Sequence, residues 1–172
     1  MTNPSRCPPF IYLGISEWHL PTSNHSQVWN LESVTNTLSL DSHTSWIRAL
    51  ATAKDVLASS SKDNTVKIWD LRTMKCIFTF ASSSQVYCLA VINNTVYGGC
   101  QDHKIRVWNL NTMQKSHMLI GHDGRVRCLA IRRNMLYSGG SDNKARALLH
   151  DVLQHSFGTR SHIIICRLSV GT

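Results

Sequence analysis

His43, Ser59 and Asp63 carry the three side-chain types of a serine hydrolase: a hydroxyl to attack, an imidazole to take its proton and a carboxylate to orient the imidazole. That chemistry also needs an exposed nucleophile, a base within reach and an oxyanion site, none of which the sequence pattern supplies. Recurrence points elsewhere. Asp63, Asp102 and Asp142 stand 39 and 40 residues apart, and twenty residues before them lie His43, Ser82 and His122. A catalytic set is used once, whereas residues repeated at a fixed interval belong to the architecture, so the chain is not read as an enzyme.

Metal chemistry fares no better. His19, His25, His103, His117, His150, His155 and His162 show no i,i+4 pair and no repeated ligand spacing. Cys7, Cys76, Cys88, Cys100, Cys128 and Cys166 contain no C-x-x-C pair and do not cluster with histidine, so neither a zinc site nor a disulfide framework is expected. No cofactor is expected. Asn24-His25-Ser26 and Asn93-Asn94-Thr95 are glycosylation triplets only in the secretory pathway. The apolar patch from Pro8 to Ile15 is interrupted by proline and lacks a cleavage site, and no run reaches the ~18 apolar residues of a spanning helix. Cytosol is the expected compartment, with the nucleus as the alternative.

The elements that would carry these residues follow from repetition. Trp29-Asn30-Leu31, Trp69-Asp70-Leu71 and Trp108-Asn109-Leu110 set their tryptophans 40 and 39 residues apart, and Asp63 and Asp102 stand six residues before the second and third. Between the markers run short β-branched and aromatic stretches separated by turn formers: Trp46–Ala51, Asp55–Ser60, Thr65–Asp70 and Met74–Phe80, then Gln85–Val91, Thr95–Gly99, Lys104–Asn109 and Met113–Ile120, then Arg125–Ile131 and Met135–Gly139. Met74 and Met113 recur at outer-strand starts, where packing explains them. Ile47, Ala49 and Ala51, with Val86, Cys88 and Ala90 and with Val126, Cys128 and Ala130, suit sheets packed between neighbouring sheets. Hydrophobic residues at 42% and charged ones at 16% are a globular composition. The net charge of +8 makes nucleic acid, phosphorylated segments or anionic surfaces ligand classes to weigh, although the basic residues form no continuous run.

From Gln27 to Arg146 the pattern resembles WD40 repeats. The wording of Ser45–Leu50 and Val66–Thr73 is similar to the propeller of a RING-type ubiquitin ligase of the TNF-receptor-associated-factor class, although no RING or zinc-finger cysteines are present. The resemblance implies an all-β, partial propeller of about three to four blades, each of four antiparallel strands. It also implies a hydrogen-bonded tetrad of Trp, Ser, His and Asp in each blade. Trp only donates, ionised Asp only accepts and Ser and His do both, so the chain satisfies every member. His43, Ser59, Asp63 and Trp69 make a full set; Ser82, Gly98, Asp102 and Trp108 an incomplete one; His122, Ser138 and Asp142 a third with Leu148 in place of tryptophan. Family propellers commonly receive peptides on the rim where the inner strand enters and the second strand leaves. On this chain that gives Trp46, Arg48, Lys62, Gln85, Tyr87, Gln101, Arg125, Arg127 and Ser141 as candidate partner contacts. A protein-interaction scaffold is the expected function, and a basic nucleic-acid-binding module the alternative.

The ends depart from the pattern. Residues 1–26 are read as an irregular segment with a partial blade, in which Ile11-Tyr12-Leu13-Gly14 resembles a second strand. Residues 27–146 are the repeats, and residues 147–172 match no blade, although Ile163–Cys166 reads as an isolated strand. The abrupt loss after Arg146 is read as a splice junction, frame change or gene-model error in a fragment or isoform of a longer propeller protein. An open array leaves apolar sheet faces uncovered, so self-association is expected, with Val86, Cys88 and Ala90 or Ile163 to Ile165 as the exposed positions.

Overall fold

Strand-forming runs of six or seven residues, joined by connections of two to four, can pair only with their sequence neighbours, and antiparallel. The computed structural model describes residues 11–14, 25–30, 35–149 and 166–167, and its elements follow that rule throughout. A three-stranded sheet comprises β1 (Ile11–Gly14), β2 (His25–Asn30) and β3 (Thr35–Asp41). Three four-stranded meanders follow: β4 (Ile47–Ala53), β5 (Val56–Ser61), β6 (Thr65–Asp70) and β7 (Lys75–Ala81); then β8 (Val86–Ile92), β9 (Thr95–Cys100), β10 (Lys104–Asn109) and β11 (Gln114–Ile120); then β12 (Val126–Arg132), β13 (Met135–Gly140), β14 (Ala145–Leu149) and β15 (Cys166–Arg167). The fold is all-β, an open partial propeller. We call the four-stranded sheets blades one, two and three.

The turns repeat as faithfully as the strands. Lys54, Asn93 and Arg133 turn the first connection of each blade at φ 52°, 50° and 55°, and Asn64, His103 and Asn143 the second at 62°, 67° and 56°. Met74 and Met113 sit at φ 55° and 51° in the turn before β7 and β11, so they close a turn rather than begin a strand. Their side chains do pack on the core as well.

Each inner strand carries a β-bulge at the same place, where the register shifts between Ile47 and Ala49, between Val86 and Cys88 and between Val126 and Cys128. The extra residues are Arg48, Tyr87 and Arg127. A bulge re-aims the side chain it inserts, and these three are the residues that matter at the rim.

The blades stand side by side, β8 packing on β4 and β5, and β12 on β8 and β9. Ala58, Val66, Ile68, Phe80, Val86, Leu89, Val96 and Trp108 fill the space between blades one and two. Cys88, Ala90, Tyr97, Ile105, Val107, Leu119, Val126, Leu136 and Leu148 fill that between two and three. The middle blade is thus covered on both faces. Val86, Cys88 and Ala90, expected as exposed, are buried because blade one covers Val86 and blade three covers the other two. Their counterparts Cys128 and Ala130 are exposed instead.

The C-terminal stretch departs from its expected boundary. β14 runs through Arg146 to Leu149, and β15 pairs with it through Arg146↔Arg167 and Ala147↔Cys166, so backbone pairing continues where the side-chain pattern stops. Ile163 to Ile165 lie outside the described residues. At the other end β1 pairs with β2 as β5 pairs with β6, Tyr12 facing Trp29 as Leu57 faces Trp69, and no inner strand accompanies them among the described residues.

Candidate functional site

In blade one the polar side chains form an unbroken chain. Trp69 Nε1 donates to Ser59 Oγ at 2.8 Å, Ser59 Oγ lies 2.8 Å from His43 Nε2, and His43 Nδ1 lies 2.9 Å from Asp63 Oδ2. With the carboxylate accepting at Nδ1, that nitrogen carries the proton and Nε2 accepts from the serine hydroxyl. Asp63 also accepts from the amides of Thr44 and Thr65 at 3.0 and 2.9 Å and from the Thr65 hydroxyl at 2.7 Å. Burial alone would raise its pKa, but these donors outweigh it and hold the carboxyl at about 2. Burial lowers the His43 pKa, against the pull of Asp63, so the imidazole is neutral. Ser59 has no exposed surface, so its hydroxyl is no accessible nucleophile.

Blade three repeats the arrangement without its head. His122 Nε2 lies 2.9 Å from Ser138 Oγ and His122 Nδ1 2.9 Å from Asp142 Oδ2, and Asp142 is held at about 2 by donors that outweigh its burial. Leu148 is buried where tryptophan stands in the other blades. A solvent-open cleft remains there, lined by Leu119, Ile120, His122, Leu136, Ser138, Arg146 and Leu148.

Blade two solves the problem differently. Gly98 replaces the serine, and a Cβ there would meet Trp108 Cζ3 at 2.6 Å, so the indole occupies the hydroxyl's space. Ser82 turns to the Ser84 carbonyl at 2.7 Å and does not reach Asp102. Arg106 takes the histidine's role: Nη1 and Nη2 donate to the two Asp102 oxygens at 2.8 Å each, and Nη2 also donates to Ser83 Oγ at 2.6 Å. The guanidinium holds the Asp102 pKa down, and the Asp102 hydrogen bonds raise that of Arg106. Arg106 is 3% exposed, and the sequence reading passed over it. Its signal was present: Lys67, Arg106 and Arg146 stand four residues after the three repeat aspartates.

The rim candidates fall into two groups. Backbone bonds close the blade ends at equivalent places, from Lys62 to Trp46 at 2.8 Å, Gln101 to Gln85 at 2.9 Å and Ser141 to Arg125 at 2.9 Å, putting all six on one edge. The bulged strands then align side chains across blades. Lys62 lies 5.0 Å and Arg48 5.9 Å from the centre of the Trp46 ring, while Arg48 lies 5.7 Å and Arg127 5.1 Å from that of Tyr87. The result is an alternating row, Lys62, Trp46, Arg48, Tyr87, Arg127, across three blades. Gln85, Gln101, Arg125 and Ser141 flank it without joining it. Trp46 is 43% exposed.

Among the described residues no group of His, Cys, Asp and Glu is placed to hold a metal ion, and no helix is long and apolar enough to cross a membrane. Cys76, Cys88, Cys100 and Cys128 are free thiols, and burial pushes that of Cys88 up to about 12.

Comparison with known proteins agrees with this architecture. Residues 43–97 match the family described as TEP-1 C-terminal beta-propeller, and residues 113–147 the WD domain, G-beta repeat. Among curated proteins the chain is similar to nuclear distribution protein PAC1 of Candida glabrata, 44% identical over 55 residues, which are 29% of this chain and 12% of that one. It is also similar to the probable E3 ubiquitin ligase complex SCF subunit sconB of Arthroderma otae, 52% identical over 44 residues, 24% of this chain and 6% of that one. The chain thus spans only a small part of these relatives. Among solved structures, the designed protein Ika8 gives a TM-score of 0.67 at 29% identity, over 75% of this chain and 41% of that one. The RRP9 WD40 repeats give 0.69 at 22%, over 74% and 42%, a likeness of fold. The repeats, the blades and the family matches over residues 43–97 and 113–147 place the chain in the WD40-repeat β-propeller family.

Proposed function

We propose that the chain is a protein-interaction scaffold that holds a segment of a partner protein along the rim row from Lys62 to Arg127, and that it catalyses no reaction. The observation that carries this reading is the row itself: two aromatic rings and three cations from three blades, aligned on one edge. Aromatic and arginine side chains are the common anchors of interfaces. The tetrads supply no rival chemistry, since their serines are buried and bonded inward. The sconB likeness supports a partner among ubiquitin-ligase components, as does the sequence resemblance to ligase propellers. Cytosol or nucleus is the compartment that follows.

The test is partner capture by the chain with Arg127→Ala, Tyr87→Ala and both. Each single change weakens capture with the melting transition unchanged, and the pair abolishes it; retained capture by the folded double variant removes the rim from the reading. The net charge of +8 favours nucleic acid as a second reading. Salt separates the two by degree: phosphate-driven binding to many backbone charges falls steeply as salt rises, whereas a rim that uses a few cations beside Trp46 and Tyr87 falls less.

A further inference from the structure

Arg48, Tyr87 and Arg127 each occupy the inserted position of an inner-strand bulge, so equivalent backbone distortions put two guanidiniums on one phenol ring. Cations at 5.7 and 5.1 Å from one ring centre make a local positive field that draws an anion. Among the described residues the paired aspartates are committed elsewhere: Asp63 to His43, Asp102 to Arg106, Asp142 to His122, Asp123 to Lys144 and Asp70 to Arg72. None reaches Arg48, Lys62 or Arg127. Guanidinium groups are best satisfied by carboxylates, which accept two parallel bonds.

We infer that the rim's partner is an acidic protein segment whose carboxylates pair along the row, one with Arg48, one with Arg127 and one with Lys62 beside Trp46. This rests on the interaction-scaffold reading and adds the partner's chemistry to it. A nucleic-acid strand fits the row less well, because single-strand binding relies on bases stacked on aromatic faces, and here each ring already packs against two cations.

The experiment uses the full chain and titrates it with a short fluorescein-labelled peptide of alternating glutamate and serine, its glutamine counterpart, and a single-stranded oligonucleotide of equal net charge, followed by fluorescence anisotropy. The glutamate peptide binds at least about tenfold tighter than the glutamine peptide, as expected for charge-assisted hydrogen bonds in place of neutral ones. Arg127→Ala and Arg48→Ala each remove most of that preference, and Arg133→Ala, on an exposed turn, leaves it. Equal affinity for the two peptides, absence of binding to either, or tighter binding of the oligonucleotide overturns the inference. If the double rim variant loses a captured protein while the two peptides bind alike, the scaffold stands and the acidic partner falls. The peptide comparison needs no variant to fold.

Discussion

Ser59 joins Trp69 to His43, and Ser138 faces the same histidine geometry with no indole to accept from. Trp69→Phe therefore strands Ser59 and lowers stability by about 1–3 kcal/mol, whereas Leu148→Phe costs little because nothing there depends on a donor. Urea unfolding midpoints compare the two, and equal losses would refute the ranking of the blades. Leu148→Trp should do the reverse, placing its N–H against Ser138 in the cleft beside it and raising the midpoint. Acid is the second probe of these residues. Asp63 and Asp142 are held at about 2, below the ~3.9 of an unfolded chain, so their contribution is complete above pH ~4 and is lost as pH falls to about 2. His43 has the same sign: its folded pKa lies below the unfolded ~6.5, so the unfolded chain takes the proton more readily and stability starts to decline as pH drops below that value. Denaturation midpoints measured across this range should fall in two stages, and Asp63→Asn should shrink the lower one. A midpoint constant from pH 7 to 3 would contradict both assignments.

The connections show how a local rule and a global one meet. Asn64, Asn93, His103 and Asn143 are of types that adopt positive φ with little cost, but Lys54 and Arg133 adopt it without a side chain that favours it. Relief of that strain at Arg133 outweighs the entropy glycine loses on folding, so Arg133→Gly gains about 0.5 kcal/mol. Arg132→Gly, one residue earlier in β12, loses stability instead. Thermal melts of the pair check it, and a loss at both positions would show that the turn is unstrained. Strand positions were legible because β-branched and aromatic runs alternate with turn formers. The bulges were not, because an inserted residue follows from how two strands pair and leaves no mark in either strand alone.

At the scale of the molecule, neighbouring blades decide what is buried. Cys88, Ala90 and Tyr97 are 9%, 9% and 0% exposed under blade three, whereas their repeat counterparts Cys128 and Ala130 are exposed and Tyr137 is 37% exposed. An apolar sheet face of this kind seeks another sheet. The chain on its own should therefore run as oligomers in size-exclusion chromatography with light scattering, and Ala130→Glu should shift it toward monomer. A monodisperse species near 19.4 kDa with a cooperative melt would refute the argument.

The sequence by itself determined the repeat and the all-β class, because each of these is a pattern at fixed spacing along one chain. His43, Ser59, Asp63 and Trp69 could be set beside one another on paper only through the resemblance to WD40 repeats. Tertiary structure decided the rest. Only the approach of the Trp108 ring to Gly98 shows why blade two has no room for its serine, and only burial beside Asp102 turns Arg106 from an ordinary strand cation into the partner that replaces histidine. The row from Lys62 to Arg127 likewise depends on three bulges and on the packing of three sheets. Contacts between blades arise from side chains about forty residues apart, and such distances are set by packing, which spacing along the chain does not encode.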